Sequence, residues 1–464
     1  MTDFTAWQWF VLVQHELLLF AGVFFLIGAL DELGIDCAYL WFRLAGRIRT
    51  ETLGIEADHH ELTGLAAVFI PTWQESAVIG ATISHALNVW PHSALRMYIG
   101  CYRNDPATMS AVLEATSGDP RLRLVVHDCD GPSTKADCLN RLYQALQTDE
   151  RRLMQSAHMI VLHDAEDMVD AAALTLLDRT IRGAELAQIP VLPMPQPHSV
   201  WIAGHYCEEF AEAHGKAMMV RDAIGAGMPL AGVGCAISRP ILTKLASTTA
   251  DRGPFAADCL TEDYELGLGV ADMGGRAKFV RQRYQDGRLV ATRACFPARL
   301  DQAVRQKTRW VHGIAFQGWD RLGWSGRPAE FWMRLRDRRG PFTAIVLAAA
   351  YVLLILSAAG WALSSAGFGE PLDVSPILQI VLALNFVSFA WRVTWRFAFT
   401  AREYGVGEGL RAILRVPIAN IIAIMAGRRA LVAYWLSLKG HALKWDKTDH
   451  FEHPVMMPLR DNTI

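Results

Sequence analysis

The sequence predicts an α/β domain, its sheet covered by helices on both faces and flanked by membrane-crossing helices. Three observations carry this. Short β-branched runs alternate with helical patterns between residues 60 and 330. Long uncharged stretches lie on either side of that region. Charged residues make up 20% of the 464-residue chain, below the roughly 25% usual for soluble proteins.

The first apolar stretch covers 9–30. Gln14, His15 and Glu16 interrupt it, but 17–30 carries no charge. A cleaved leader would begin with basic residues, whereas the first ten residues hold one Asp and no Lys or Arg. Residues 342–366 form the strongest span, uncharged and long enough to cross ~30 Å of hydrocarbon. Residues 377–391 complete a third span if the helix continues past Arg392 toward Phe399. Arg43, Arg47 and Arg49 follow the first span; Arg334, Arg336, Arg338 and Arg339 precede the second; Arg392, Arg396 and Arg402 end the third. The loop between the second and third carries only acids, Glu370 and Asp373. Counting Lys and Arg at span ends puts the N-terminus outside and the middle of the chain in the cytoplasm. The expected division is a transmembrane helix with basic flank (1–49), a cytoplasmic domain (50–335), two transmembrane helices (336–402) and an in-plane amphipathic helix with a cytoplasmic tail (403–464). The last assignment rests on the short apolar stretch 416–426, bracketed by Arg411, Arg415, Arg428 and Arg429.

Totals exclude some classes. With 45 basic and 47 acidic residues the formal charge is −2, so no global field invites nucleic acid. The eight Cys lack any C-x-x-C pair, which argues against a zinc ribbon or disulfide scaffold and fits a reducing compartment.

Within the middle region, strands are expected at 66–70, 96–99, 122–126, 159–162, 189–192, 233–237 and 277–281. Helices fit 77–89, 106–115, 135–147, 171–182, 200–220 and 263–273. No G-x-G-x-x-G follows the first strand, so a dinucleotide fold would lack its phosphate-binding turn.

Polar residues collect where strands end, the edge at which open α/β sheets bind ligands. The first strand delivers Pro71, Thr72, Trp73, Gln74 and Glu75. The fourth delivers His163-Asp164-Ala165-Glu166-Asp167, whose carboxylates suit a hard divalent cation with its phosphates, or else a solvated turn capping the next helix. A third cluster, Thr261-Glu262-Asp263, reads as an N-cap with acids in the first turn, or as a base that takes a proton from a hydroxyl. Gln306, Arg309 and Trp310 share one face of a helix beginning near Leu300. An Arg fork there can grip a diphosphate and Trp can stack on a sugar ring; a helix resting on a membrane interface would look the same.

In that order, I-P-T-W-Q-E, D-A-E-D, T-E-D and Q-x-x-R-W, followed by spans, resemble the family 2 glycosyltransferases, and among them the membrane synthases related to cellulose and hyaluronan synthases. IPTWQESAVIGATI, YIGCYRNDPATMSAV, GPSTKADCLN, HDAEDMVD, LTEDYELG and KWDKTDH further resemble the bacteriophage N4 adsorption protein B branch. The resemblance implies a GT-A type mixed sheet that binds a nucleotide sugar. It implies an inverting, metal-dependent transfer, with Mg2+ or Mn2+, from a nucleoside-diphosphate (UDP) sugar to a glycan or lipid-linked acceptor at the bacterial inner membrane. Processive exopolysaccharide synthesis and an outer-membrane export partner extend that expectation, although three crossings enclose no polymer channel without the in-plane helix, an oligomer or a partner. Carried over by position, Thr72, Gln74, Glu75 and Asp105 hold the nucleoside, Lys135 and Asp164 meet the donor, and Asp164, Glu166 and Asp167 hold the metal. Asp263, with Glu262, supplies the base, and Gln306, Arg309 and Trp310 clamp acceptor and diphosphate. Glu166 stands where the family's second Asp is usual. Gly232-Val233-Gly234-Cys235 would form a close-approach turn beside the acceptor.

A non-catalytic receptor or scaffold for phage adsorption or glycan export is the competing class; a transporter is weaker, since the spans show no charged ion path. Asp128 and Asp130 read as turn residues, Asn104-Asp105-Pro106 equally as a helix cap, and His205, Glu208, Glu209 and Glu212 as a solvated helix face rather than a metal cluster.

Overall fold

The computed structural model describes residues 4–54, 61–248, 253–370, 373–441 and 453–456. The motif KWDKTDH lies outside the described residues. A seven-stranded sheet forms from β1 (Leu65–Pro71), β2 (Leu95–Tyr102), β3 (Leu122–His127), β4 (Ala157–Leu162), β5 (Leu186–Gln188), β6 (Cys235–Ser238) and β7 (Ala277–Phe279). Their order is β3-β2-β1-β4-β6-β5-β7, and β6 runs against both neighbours while the others share one direction. This is the mixed α/β layout expected. β1 is buried on both faces because helices cover both, which is why it reads as an unbroken apolar run.

One expected strand is two. Residues 189–192 break at Pro190, which has no N–H to give a ladder. Leu186–Gln188 stays in the main sheet, and Val191–Pro193 pairs instead with Thr292–Ala294. The expected helix over 200–220 is continuous but widens into a π turn at Ala213–Ala217. Phe399 of a later helix presses there against Gly215, where a Cβ would come within 2.5 Å of the ring.

The first helix, Ala6–Leu44, runs 39 residues, ~58 Å, well beyond a bilayer. Its last third enters the domain core, where Ile35 and Tyr39 pack with Met219, Val220 and Phe399. Helices Gly340–Ser365 and Pro376–Tyr404 lie beside it: Gln14 Nε2 donates to Ser357 Oγ at 3.1 Å and Asn385 Nδ2 to the Gly22 carbonyl at 2.8 Å. At the domain-proximal end, Asp31 and Glu32 meet Arg336, Arg339 and Arg392. The three basic flanks therefore lie on one side, beside the α/β domain.

The C-terminal region corrects the sequence reading. Among the described residues four helices, not three, are long and apolar enough to cross a membrane, the fourth being Val416–Ser437 with 22 residues. It is not the amphipathic helix expected: apolar residues surround it, and it continues through the exposed Arg428 and Arg429 that had suggested its end. The amphipathic segment is the shorter Val406–Leu414, with Glu408 and Ala412 buried and Val406, Leu410 and Leu414 exposed. Val416–Ser437 runs alongside the segment 300–322. Ile422 packs with Ala303 and Val304, and Tyr434 stacks on Phe316 at 4.5 Å and donates to Asp320.

Candidate active site

At the end of β1 the chain turns through Gln74, at φ 54°. Asp105 holds that turn: its Oδ2 accepts the Gln74 N–H at 2.6 Å, and its Oδ1 accepts from Thr108 N as the cap of helix Pro106–Thr116. Asp105 is thus a brace and helix cap, and neither it nor Gln74 lines the cleft below. Thr72 is buried, its hydroxyl donating to the Gly100 carbonyl at 2.7 Å, and the Glu75 N–H donates to Thr108 Oγ1. Trp73 meets Tyr102 edge-on at 5.3 Å, and Tyr102 stacks flat on His127 at 5.0 Å. Tyr102 was missed because the second strand was expected to stop at 99; it ends that strand as Pro71 ends β1.

A cavity of about 180 Å³ opens at this edge. Thr72, Trp73, Glu75, Lys135, Asp164, Glu166, Asp167, Glu262, Asp263, Gln306, Arg309 and Trp310 all line it. The four separate polar clusters, with Lys135 among them, therefore share one cleft.

Lys135 organises its centre. It begins helix Lys135–Leu153, capped by Thr134, and its Nζ lies 2.6 Å from Asp164 Oδ1 and 3.9 Å from Glu262 Oε1. Burial alone would pull its pKa down, but Asp164, Glu262 and Asp263 outweigh that and keep the ammonium charged. Reciprocally, burial pushes Asp263 upward and Glu262 up to about 7, against the pull of Lys135. Asp263 Oδ1 accepts the Tyr264 N–H at 2.8 Å, which fixes the carboxylate at the start of helix Glu262–Asp272. Gly232, at φ +77°, crosses directly over it: a Cβ there would sit 2.7 Å from Asp263 Oδ2 and 3.3 Å from Lys135 Nζ. Only a glycine fits both the conformation and the space.

Asp167 does a different job from its neighbours. Its Oδ2 accepts from the Asp164 N–H at 3.0 Å and pairs with His163 Nδ1 at 2.8 Å, both side chains fully buried. It braces the acidic loop while Asp164 and Glu166 face the cleft. Burial raises the Asp167 pKa and the His163 pairing opposes this. His163 as a brace was not foreseen.

The opposite wall is aromatic. Phe210 and Phe296 line the cleft with Trp310, and Trp310 lies 6.1 Å from Tyr206 and 6.3 Å from Phe210. Phe210 belongs to the helix read as a solvated face, and that reading is overturned. His205 and Glu208 are fully buried and Glu212 is nearly so; Glu208 pairs with Arg396 and Arg415 at 3.0 Å, Glu212 with Lys216 at 2.8 Å and Arg392 at 2.9 Å, and Glu209 with Lys307. The polar stripe is an ion-pair seam to later helices.

The donor set fits a hard divalent cation. Six carboxylates line the cleft against two basic side chains, Lys135 and Arg309. Asp164 and Glu166 offer oxygen ligands alone, and Mg2+ or Mn2+ is commonly held by one or two carboxylates plus substrate phosphates.

The family described as glycosyltransferase like family 2 matches residues 64–313. The chain is 30% identical over 455 residues to bacteriophage adsorption protein B of Escherichia coli strain K12 and to bacteriophage N4 adsorption protein B of Escherichia coli O157:H7. The match covers 92% of this chain and 61% of each relative, so the chain spans about three fifths of their length. Among solved structures it is similar to the mannosyltransferase PcManGT from Pyrobaculum calidifontis in complex with GDP-Man and Mn2+, at 17% identity over 85% of this chain and 98% of that one, with a TM-score of 0.49. Glucosyl-3-phosphoglycerate synthase from Mycobacterium tuberculosis, in complex with Mn2+, UDP and phosphoglyceric acid, matches at 17% identity over 52% of this chain and 73% of that one, with a TM-score of 0.32.

Proposed function

The chain belongs to the glycosyltransferase like family 2, and from that premise we propose that it moves a sugar from a UDP-sugar to a glycan or lipid-linked hydroxyl, inverting the anomeric centre, at the cytoplasmic face of a bacterial inner membrane. The observation that carries this is the meeting of the half-buried Lys135 with Asp164, Glu262 and Asp263, in the same cleft as Arg309. Unlike the structural seam built on Lys216 and Arg415, this cluster opens into a cleft that also holds Arg309 and Trp310, where a substrate can reach it.

Displacing a nucleoside diphosphate develops positive charge at the anomeric carbon and negative charge on the departing oxygens. Lys135 and Arg309 are the chain's own cations for the leaving group. Asp164 and Glu166 would hold Mg2+ or Mn2+, which supplies further charge neutralisation at the diphosphate. Asp263, braced by the Tyr264 N–H, takes the proton of the acceptor hydroxyl. Trp73 and Tyr102 give the base a stacking wall, with Thr72 and Glu75 beside it. Gln306 and Trp310, with Phe210 and Phe296, receive the acceptor sugar.

The orientation follows from the basic flanks gathered beside the domain. The exposed stripe of Val406, Leu410 and Leu414 lies at the headgroup boundary, and Val416–Ser437, lying along 300–322, holds the acceptor helix at the membrane surface. Glycan elongation and export through an outer-membrane partner are extensions of this activity.

The test is release of UDP from a panel of UDP-sugars by purified protein with Mg2+ or Mn2+. One or more donors are expected to turn over and to raise the melting temperature, both effects disappearing in Asp164→Ala. No turnover and no stabilisation by any nucleotide sugar would refute the proposal.

A further inference from the structure

Outside the acid cluster, one more set of ligating side chains converges. His127 ends β3, Cys129 follows in the turn, and Asp137 lies in the first turn of helix Lys135–Leu153. One ligand atom from each lies within 4.8 Å of the other two, the one such grouping of His, Cys, Asp or Glu among the described residues. Cys129 Sγ is 3.2 Å from His127 Nδ1, and Asp137 Oδ2 is 3.2 Å from His127 Nε2. His127 is buried while Cys129 is exposed and Asp137 partly so, which leaves an entry path. The neighbouring acids are occupied elsewhere, Asp130 with Arg103 at 2.6 Å and Asp128 with Arg141 at 3.6 Å. Nothing in the sugar-transfer reading uses the three residues.

We propose that His127, Cys129 and Asp137 bind Zn2+, with water as fourth ligand, and that occupancy of this site changes nucleotide affinity in the adjoining cleft. A thiolate, an imidazole and a carboxylate form a ligand set for a borderline-soft tetrahedral cation. Magnesium favours oxygen ligands alone, so the acidic loop and this site select different metals. One ligand atom of each residue lies within 4.8 Å of the other two, and side-chain rotations that bring Cys129 and Asp137 to the same imidazole nitrogen would complete the shell. The site ties the end of β3 to the start of the Lys135 helix. Its imidazole stacks flat on Tyr102, which meets Trp73, and both rings line the cleft. Drawing His127 onto a metal therefore shifts the wall assigned to the base. This coupling rests on the donor-site reading; zinc binding does not.

The experiment titrates the full chain in detergent with Zn2+ in excess Mg2+, by calorimetry, and repeats it with Co2+, whose thiolate charge-transfer band reports a Cys ligand. Wild type is expected to bind one equivalent. Cys129→Ala, at an exposed position that leaves folding intact, weakens it by at least ~10-fold and abolishes the band; Asp137→Asn weakens it similarly but keeps the band when loaded, and Asp164→Ala keeps both affinity and band. Wild type that takes up no Zn2+, or Cys129→Ala that binds as wild type does, overturns the site. UDP affinity, measured with and without Zn2+, is expected to shift several-fold in wild type and not in Cys129→Ala; an unchanged affinity in wild type overturns the coupling. Absence of UDP binding under every condition would instead refute the donor reading, and the zinc site would still be decided by Cys129.

Discussion

Asp263→Asn is expected to fold and insert normally yet lose about 10²–10⁴-fold in sugar transfer. Asn keeps the shape and can still accept the Tyr264 N–H, but cannot take a proton from the acceptor. UDP binding, measured separately, should stay within a few-fold of wild type, because Lys135, Arg309 and the acidic loop remain. The same acids set the pH profile. A base works only when deprotonated, and burial raises both Asp263 and Glu262, the latter to about 7. Activity should therefore fall on the acid side at a pH above the ~4 of an unperturbed carboxylate. Near-wild-type turnover in Asp263→Asn, or an acid limb at ordinary carboxylate pH, would remove this pair from the chemistry.

Arg415→Met is expected to destabilise the protein by about 3–5 kcal/mol. Arg415 is fully buried beneath Gly204, pairing with Glu208 and Glu408 at 3.0 Å and donating to the Val200 carbonyl at 2.8 Å. Removing it leaves two buried carboxylates short of a partner. Denaturant unfolding in detergent measures the effect. The double variant Glu208→Gln/Arg415→Met should recover part of the loss, since it removes a buried charge as well as its partner. A loss under ~0.5 kcal/mol, the size of an ordinary surface substitution, would mean the seam contributes nothing to holding the later helices on the domain.

The sheet was legible because it is buried on both faces. Apolar runs such as 65–70 end at Pro71, and the polar residues beyond them mark the binding edge. Where local signals failed, long-range partners decided. Glu208 and Glu212 repeat at helical spacing and look solvated, yet their partners Arg392, Arg396 and Arg415 come from helices far along the chain. The fourth long helix was cut short in the sequence reading by Arg428 and Arg429, which lie on its exposed side and do not end it. Asp105 looked equally like a nucleoside ligand and a helix cap; the cap is present, and its further contact with the Gln74 backbone, distant in sequence, could not be read locally. In the acidic loop the composition was legible but not the division of labour. That Asp167 turns inward to His163 while Asp164 meets Lys135 depends on which way each side chain leaves the turn.

The most direct measurement is a structure of the protein with UDP and Mn2+. The diphosphate and metal should lie between Asp164, Lys135 and Arg309, with uracil against Trp73 and Asp263 facing open space for an acceptor. Nucleotide bound at any other surface, with this cleft unchanged, would contradict the account.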